Sequence, residues 1–169
     1  MHWRSRSPAE TRAAARELAE EVGPAGAVVA LVGALGAGKT VFAKGLAEGL
    51  GLPPDLLASP TFTIAHELAA PGGLRLVHAD LFRIEGPAEL EAAGWLDWLA
   101  PGTLLAVEWA DRWPAELPAD RLEVRLTGVT AGAQGERVLD ARACGPGSAA
   151  LLARWRARRA EAPATDLAD

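Results

Sequence analysis

Residues 33–40, GALGAGKT, stand directly after an apolar run, 27–32 (AVVALV), and directly before a stretch with helical spacing. That order constrains the fold more than any other feature of the chain. A short, nearly all-apolar run suits a strand covered on both faces, as in a parallel sheet. The stretch 39–50 carries apolar residues at Val41, Leu46 and Leu50 and stops near Gly51 and Pro53, which predicts a helix. Strand, glycine-rich loop and helix form the context that the pattern G-x-x-x-x-G-K-[ST] requires. Gly33, Gly38, Lys39 and Thr40 match its fixed positions.

Each part of that loop has a chemical task. Glycines let the backbone turn with its N–H groups pointing inward, where they ring an anion. Ala34, Leu35, Gly36 and Ala37 complete the ring, and Val41 follows it. Lys39 supplies a positive charge for the β and γ phosphates of a nucleotide, and the Thr40 hydroxyl can ligate Mg²⁺. The helix that follows aims its positive end at the same anion. The expected cofactors are therefore ATP and Mg²⁺. No N-K-x-D or T-K-x-D guanine-reading motif occurs in the chain, which favours ATP over GTP.

Mg²⁺ prefers oxygen ligands and takes one or two carboxylates beside the phosphates. Two acids end apolar runs: Asp80 after LVHA and Glu108 after LLAV. In an α/β sheet the carboxyl ends of strands open onto the ligand crevice. Both residues are candidate metal ligands and candidate catalytic groups alongside Lys39; the competing reading is an exposed acid that starts a loop. Residues 59–63 (SPTFT) hold three hydroxyls. They read equally as a segment that closes on the γ phosphate or as a plain strand entry. His66 and His78 fall on facing strands and read as structural. Trp109 reads as a partly buried aromatic that can cover the nucleotide.

The rest of the chain frames this site. Ser7, Pro8 and Glu10 predict a helix start, with Ser7 as N-cap and Glu10 in a capping box. That helix runs to about Glu21, with a buried stripe at Ala14, Leu18 and Val22. Strands are predicted at 59–68 and 74–79, with Pro71, Gly72 and Gly73 between them; so short a link requires an antiparallel pair. A helix over 87–99, a buried strand over 103–107, an antiparallel hairpin of 121–127 and 136–143, and a helix over 148–159 complete the reading. The fold class is α/β: a single-domain P-loop NTPase with a mixed parallel and antiparallel sheet flanked by helices. The domain spans residues 1–169, with 1–6 and 160–169 as loose ends.

With 169 residues and a net charge of -5, the chain is a poor candidate for nucleic-acid binding by charge alone. Its one dense basic stretch, RWRARR at 154–159, reads as a solvated helix face. The lone Cys144 has no disulfide partner and reads as a small buried hydrophobe. No window reaches the roughly 20 apolar residues of a membrane helix, and residues 1–11 (MHWRSRSPAET) hold no apolar core of signal-peptide length. A cytoplasmic protein is expected.

Taken together, GALGAGKT at 33, SPTFT at 59, HADLFRI at 78 and VEWAD at 107 resemble the TsaE family of bacterial tRNA threonylcarbamoyladenosine biosynthesis. The N-terminal capped helix with Thr11 and the segment PAELEAAGWLDW at 87–98 are similar too. The resemblance covers residues 7–125 and implies an α/β ATPase with weak intrinsic hydrolysis. It further implies that the protein acts with a TsaD–TsaB heterodimer and meets tRNA only through that complex. In that family TsaD transfers the threonylcarbamoyl group, and ATP turnover on TsaE resets the complex. Carried onto this chain, Lys39 and Thr40 hold phosphate and Mg²⁺, Thr61 lies in the closing segment, Asp80 and Glu108 form the acidic pair, and Thr11 and Trp109 sit beside the nucleotide. The chain departs from the family at Ala34, Val41 and Phe82, where an acid, a threonine and a tyrosine are frequent. Two other readings compete, a small-molecule P-loop kinase and a nucleotide-dependent binding module with negligible turnover. The kinase reading lacks a lid segment.

Overall fold

The computed structural model describes residues 1–57, 64–128 and 136–161. One seven-stranded sheet runs through it: β1 (His2–Ser5), β2 (Gly26–Val32), β3 (Ala65–Ala69), β4 (Arg75–Asp80), β5 (Thr103–Glu108), β6 (Leu122–Gly128) and β7 (Arg137–Ala143). Their order across the sheet is β1-β7-β6-β2-β5-β4-β3. The centre is parallel, with β2 between β5 and β6 and with β4 beside β5. The edges are antiparallel, as expected for the hairpins β3–β4 and β6–β7. The N-terminus differs from the sequence reading. Residues 1–6, read as a loose end, supply β1, which pairs antiparallel with β7. Four residues, HWRS, with one charge and a polar end carry too little apolar signal to announce an edge strand.

Alternation along the strands feeds two cores. Val29, Leu31, Leu76, Leu104, Ala106, Leu122 and Val124 pack with helices on one face. Ala30, Val32, Val77, Ala79, Leu105 and Val107 pack on the other. The first face is covered by α1 (Pro8–Glu20), α2 (Lys39–Gly49) and α5 (Pro146–Glu161), the second by the short α3 (Pro87–Ala92) and α4 (Trp95–Trp98). Residues 87–99 are therefore two helices and not one. Gly94, at φ 101°, breaks them, because a left-handed residue cannot continue an α-helix.

At the start of α1 the expected cap is present: Glu10 N–H donates to Ser7 Oγ at 3.1 Å. The Glu10 carboxylate accepts from Arg6 N–H, one residue before the N-cap. Along its length α1 crosses α2 closely. A Cβ on Gly45 would lie 2.3 Å from Arg12 O, and one on Gly49 2.5 Å from Arg16 O. The basic stretch of α5 turns toward α1: Arg154 bonds Glu21 O, Arg158 pairs with Glu20 and Glu21, and Arg159 with Glu17. The solvated basic face is thus in large part an interhelical ladder, with Arg154, Arg158 and Arg159 paired to acids of 17–21. Trp155 Nε1 donates to Ala14 O below it. Cys144 is half-buried and free. Among the described residues no helix is long and apolar enough to cross a membrane.

Candidate functional site

The loop of residues 33–38 joins β2 to α2, so it opens where the parallel strands end. Three of its glycines have left-handed backbones: Gly33 at φ 154°, Gly36 at φ 77° and Gly38 at φ 100°. Within the loop, Ala37 N–H donates to Ala34 O at 3.1 Å. The N–H groups of Leu35, Gly36, Gly38, Lys39 and Thr40 have no backbone partner among the described residues. Unused donors at a helix N-terminus are the elements of an anion cradle. A Cβ on Gly33 would lie 2.3 Å from Leu126 O, so β6 holds the base of the loop.

Lys39 opens α2 and is almost fully buried. Its Nζ donates to Gly33 O at 2.7 Å and to Ala34 O at 3.0 Å. It also lies 3.7 Å from the centroid of the Trp109 ring. Burial pushes the lysine below its usual range, against the opposing pull of Glu108, Asp80 and Asp111. Three carboxylates thus act on the one lysine amino group. Asp111, part of the VEWAD segment, was not singled out in the sequence.

The acids come together through sheet register. Parallel pairing of β4 with β5 sets Asp80 against Glu108. Side-chain alternation puts His78, Asp80 and Glu108 on the face that α2 covers. Asp80 Oδ1 accepts from Phe82 N–H at 2.8 Å. Burial pushes its carboxyl above the ordinary value and the charge of Glu108 adds to that, while the Phe82 bond, His78 and Lys39 oppose. Glu108 is buried, and its Oε1 lies 2.8 Å from His78 Nε2. A desolvated acid beside a second acid is the electrostatic setting that a divalent cation relieves. The all-oxygen donor set of Asp80 and Glu108 is of the kind that suits Mg²⁺.

His66 and His78 face each other across β3 and β4, as their spacing predicts. The bond of His78 to Glu108 was missed, because sequence alternation shows which strands' residues share a face only after strand order is known. Trp109 is half-buried at φ 57°, the one non-glycine with positive φ among the described residues. Its ring packs 4.9 Å from that of Phe82.

Thr11 is fully buried beneath the loop. Its hydroxyl is 2.8 Å from Ser5 Oγ, 3.2 Å from Ser7 O and 3.1 Å from Arg137 Nη1. Arg137 is buried, held below its usual range by desolvation, and pairs with no carboxylate among the described residues. Its guanidinium also lies about 3.0 Å from where a Cβ on Gly38 would stand. A single cation thus links Thr11 to the end of the phosphate loop. No sequence signal marked it, since Arg137 looks like an ordinary charge at the start of a hairpin strand. Thr61 and the rest of 59–63 lie outside the described residues.

A cavity of 390 Å³ flanks the loop, lined by residues 33–37 and 125–128. Two larger ones, 530 and 540 Å³, lie at the opposite end of the sheet, around Gly26, Trp98 and Thr103. Size does not decide the matter. Lys39 opens α2 at the glycine-rich loop, and the paired acids Asp80 and Glu108 bear on its amino group there.

The chain resembles known proteins in sequence and in fold. The family model for the threonylcarbamoyl adenosine biosynthesis protein TsaE matches residues 5–137. A Bacillus subtilis (strain 168) tRNA threonylcarbamoyladenosine biosynthesis protein TsaE is 42% identical over 124 residues, 73% of this chain and 75% of that one. Its Streptomyces coelicolor counterpart is 41% identical over 103 residues, 60% of this chain and 69% of that one. The crystal structure of Bacillus subtilis YdiB superposes with a TM-score of 0.72 at 33% identity, covering 94% of this chain and 95% of that one.

Proposed function

The chain belongs to the TsaE family of tRNA threonylcarbamoyladenosine biosynthesis proteins, and from that premise we propose that it is a Mg²⁺-dependent ATPase whose slow turnover resets a TsaD–TsaB transferase pair. The observation that carries the reading is the meeting of Lys39, Asp80 and Glu108 at the mouth of a loop with unused N–H donors. The N–H groups of Leu35, Gly36, Gly38, Lys39 and Thr40 orient the phosphates and Lys39 neutralises the outer ones. Thr40 and one acid of the pair would hold Mg²⁺, which would supply further charge neutralisation when bound. The acid of the pair that does not ligate the metal orients the attacking water. Trp109 covers the lysine end of the site, and Thr11 acts through Arg137 at Gly38.

In this reading the output is conformational. The γ phosphate orders residues 59–63 through Thr61, and hydrolysis releases them. The protein works in the cytoplasm and meets tRNA only through its partners. The pairing of Arg154, Arg158 and Arg159 with acids of 17–21 supports that last point. The test is affinity for the TsaD–TsaB pair with ATP, with ADP and without nucleotide. Binding that depends on nucleotide, and loses the dependence in Thr61→Ala, is expected. Equal affinity in all three states overturns the conformational output. Transfer of labelled phosphate from ATP to a small metabolite overturns the ATPase reading in favour of a kinase.

A further inference from the structure

We propose that His78 is the positioning residue for Glu108: it commits one carboxylate oxygen and leaves the other to face the metal side of the nucleotide site. This deepens the reading above and rests on it. His78 Nε2 and Glu108 Oε1 are 2.8 Å apart, and both side chains are buried. They sit on adjacent parallel strands, His78 on β4 two residues before Asp80, and Glu108 on β5 opposite Asp80. The histidine's other nitrogen, Nδ1, has no partner among the described residues. Its one polar contact among the described residues is therefore the bond to Glu108.

Packing alone does not explain a histidine there. On the same face, the neighbouring positions are Leu76, Leu104 and Ala106, all buried and apolar. A leucine at position 78 would fill the space without leaving a buried nitrogen unpaired. Nor does the facing histidine explain it. His66 Nε2 is also unpartnered among the described residues, and burial, with His78 beside it, holds His66 below its usual value. The orienting work is all directed at Glu108.

That work has a consequence for Lys39. The lysine feels Glu108 more strongly than Asp80 or Asp111, yet no ion pair joins it to Glu108 among the described residues. A Glu108 freed from His78 could swing toward Nζ and neutralise the cation meant for phosphate. His78 keeps the two apart, so that each meets its own part of a metal–nucleotide complex. Outer partners of a metal-side carboxylate act in this manner, and their loss costs affinity for the metal.

The experiment compares His78→Gln with His78→Leu and His78→Asn. Glutamine can place its amide nitrogen where Nε2 lies and still donate to Glu108; asparagine falls short, and leucine cannot donate. Mn²⁺ affinity in the presence of ADP is read by electron paramagnetic resonance, ADP affinity without metal by calorimetry, and folding by circular dichroism. Leucine and asparagine should weaken Mn²⁺ binding about tenfold and leave metal-free ADP affinity within about twofold, whereas glutamine should restore most of the loss. If leucine does not fold, the contrast between glutamine and asparagine decides. Equal Mn²⁺ affinity in glutamine and asparagine variants overturns the positioning role, as does unchanged affinity in a folded leucine variant. Wild-type protein that binds no Mn²⁺ with ADP removes the nucleotide-site reading itself, and this proposal with it.

Discussion

The Lys39 amino group lies 3.7 Å from the centre of the Trp109 ring while it donates to Gly33 O and Ala34 O. The cation that should meet phosphate is therefore already held by its own loop and by an aromatic face. Trp109 reaches that position through a left-handed backbone, φ 57°, a conformation that costs a non-glycine residue about 1 kcal/mol or more. Contact with Phe82 at 4.9 Å helps to hold it.

A nucleotide that draws Lys39 away must change the surroundings of this tryptophan. Adding ADP or ATP should alter intrinsic tryptophan emission, and Trp109→Phe should remove most of the change. Lys39→Ala should weaken ATP binding by about tenfold or more, about 1.4 kcal/mol, and abolish hydrolysis. Wild-type turnover in Lys39→Ala would remove the loop from the mechanism.

The acidic pair should matter for turnover more than for folding. Glu108→Gln and Asp80→Asn should each slow Mg²⁺-dependent hydrolysis about a hundredfold. Asp80→Asn should melt no lower than wild type. Burial disfavours the charge of Asp80, and an asparagine oxygen can still accept from Phe82 N–H. Full activity in both variants, read by phosphate release, sinks the assignment.

How much of this was legible in the sequence follows from what each signal measures. The phosphate loop was readable because its glycines, Lys39 and Thr40 are contiguous and lie between an apolar strand and a helix. The sheet's centre was readable because strands buried on both faces are apolar throughout. Asp80 and Glu108 were readable as strand-end acids, but their apposition depends on β4 lying beside β5 in parallel, which is a tertiary fact. His78 and Arg137 were illegible as site residues for the same reason, since their partners Glu108 and Thr11 are 30 and 126 residues away. The strand His2–Ser5 was missed because its partner β7 defines it, not its own pattern.

The crossing of α1 over α2 should be intolerant of a single methyl. Gly45→Ala puts a Cβ 2.3 Å from Arg12 O, and Gly49→Ala one 2.5 Å from Arg16 O. Backbone oxygens at those distances cannot yield without separating the helices. Each change should cost about 1–3 kcal/mol, even though alanine is the better helix former. Urea unfolding checks this. Because α2 begins at Lys39, the helix shift should also weaken ATP binding, whereas a surface change such as Arg156→Ala should do neither.

Acid should loosen the start of α5 through a carboxylate far from the nucleotide. Asp120 accepts from Gly147 N–H at 2.7 Å and from Ser148 N–H at 2.8 Å. These donors at the N-terminus of α5 would otherwise lack protein partners. The bond from Ser148 N–H contributes most to holding the Asp120 carboxyl below its ordinary value of 3.8. Its folded value is depressed, so the stabilisation is complete above the unfolded value and is lost as pH falls from there through the folded one. The carboxylate is exposed, so solvent and salt screen it, and the contribution at neutral pH should not exceed about 1 kcal/mol. Asp120→Asn keeps one acceptor but removes the charge. The gap in unfolding free energy between wild type and variant should be present at pH 7, shrink below about pH 4, and be smaller in high salt. A gap that stays constant down to pH 2 would mean that shape, and not charge, caps this helix.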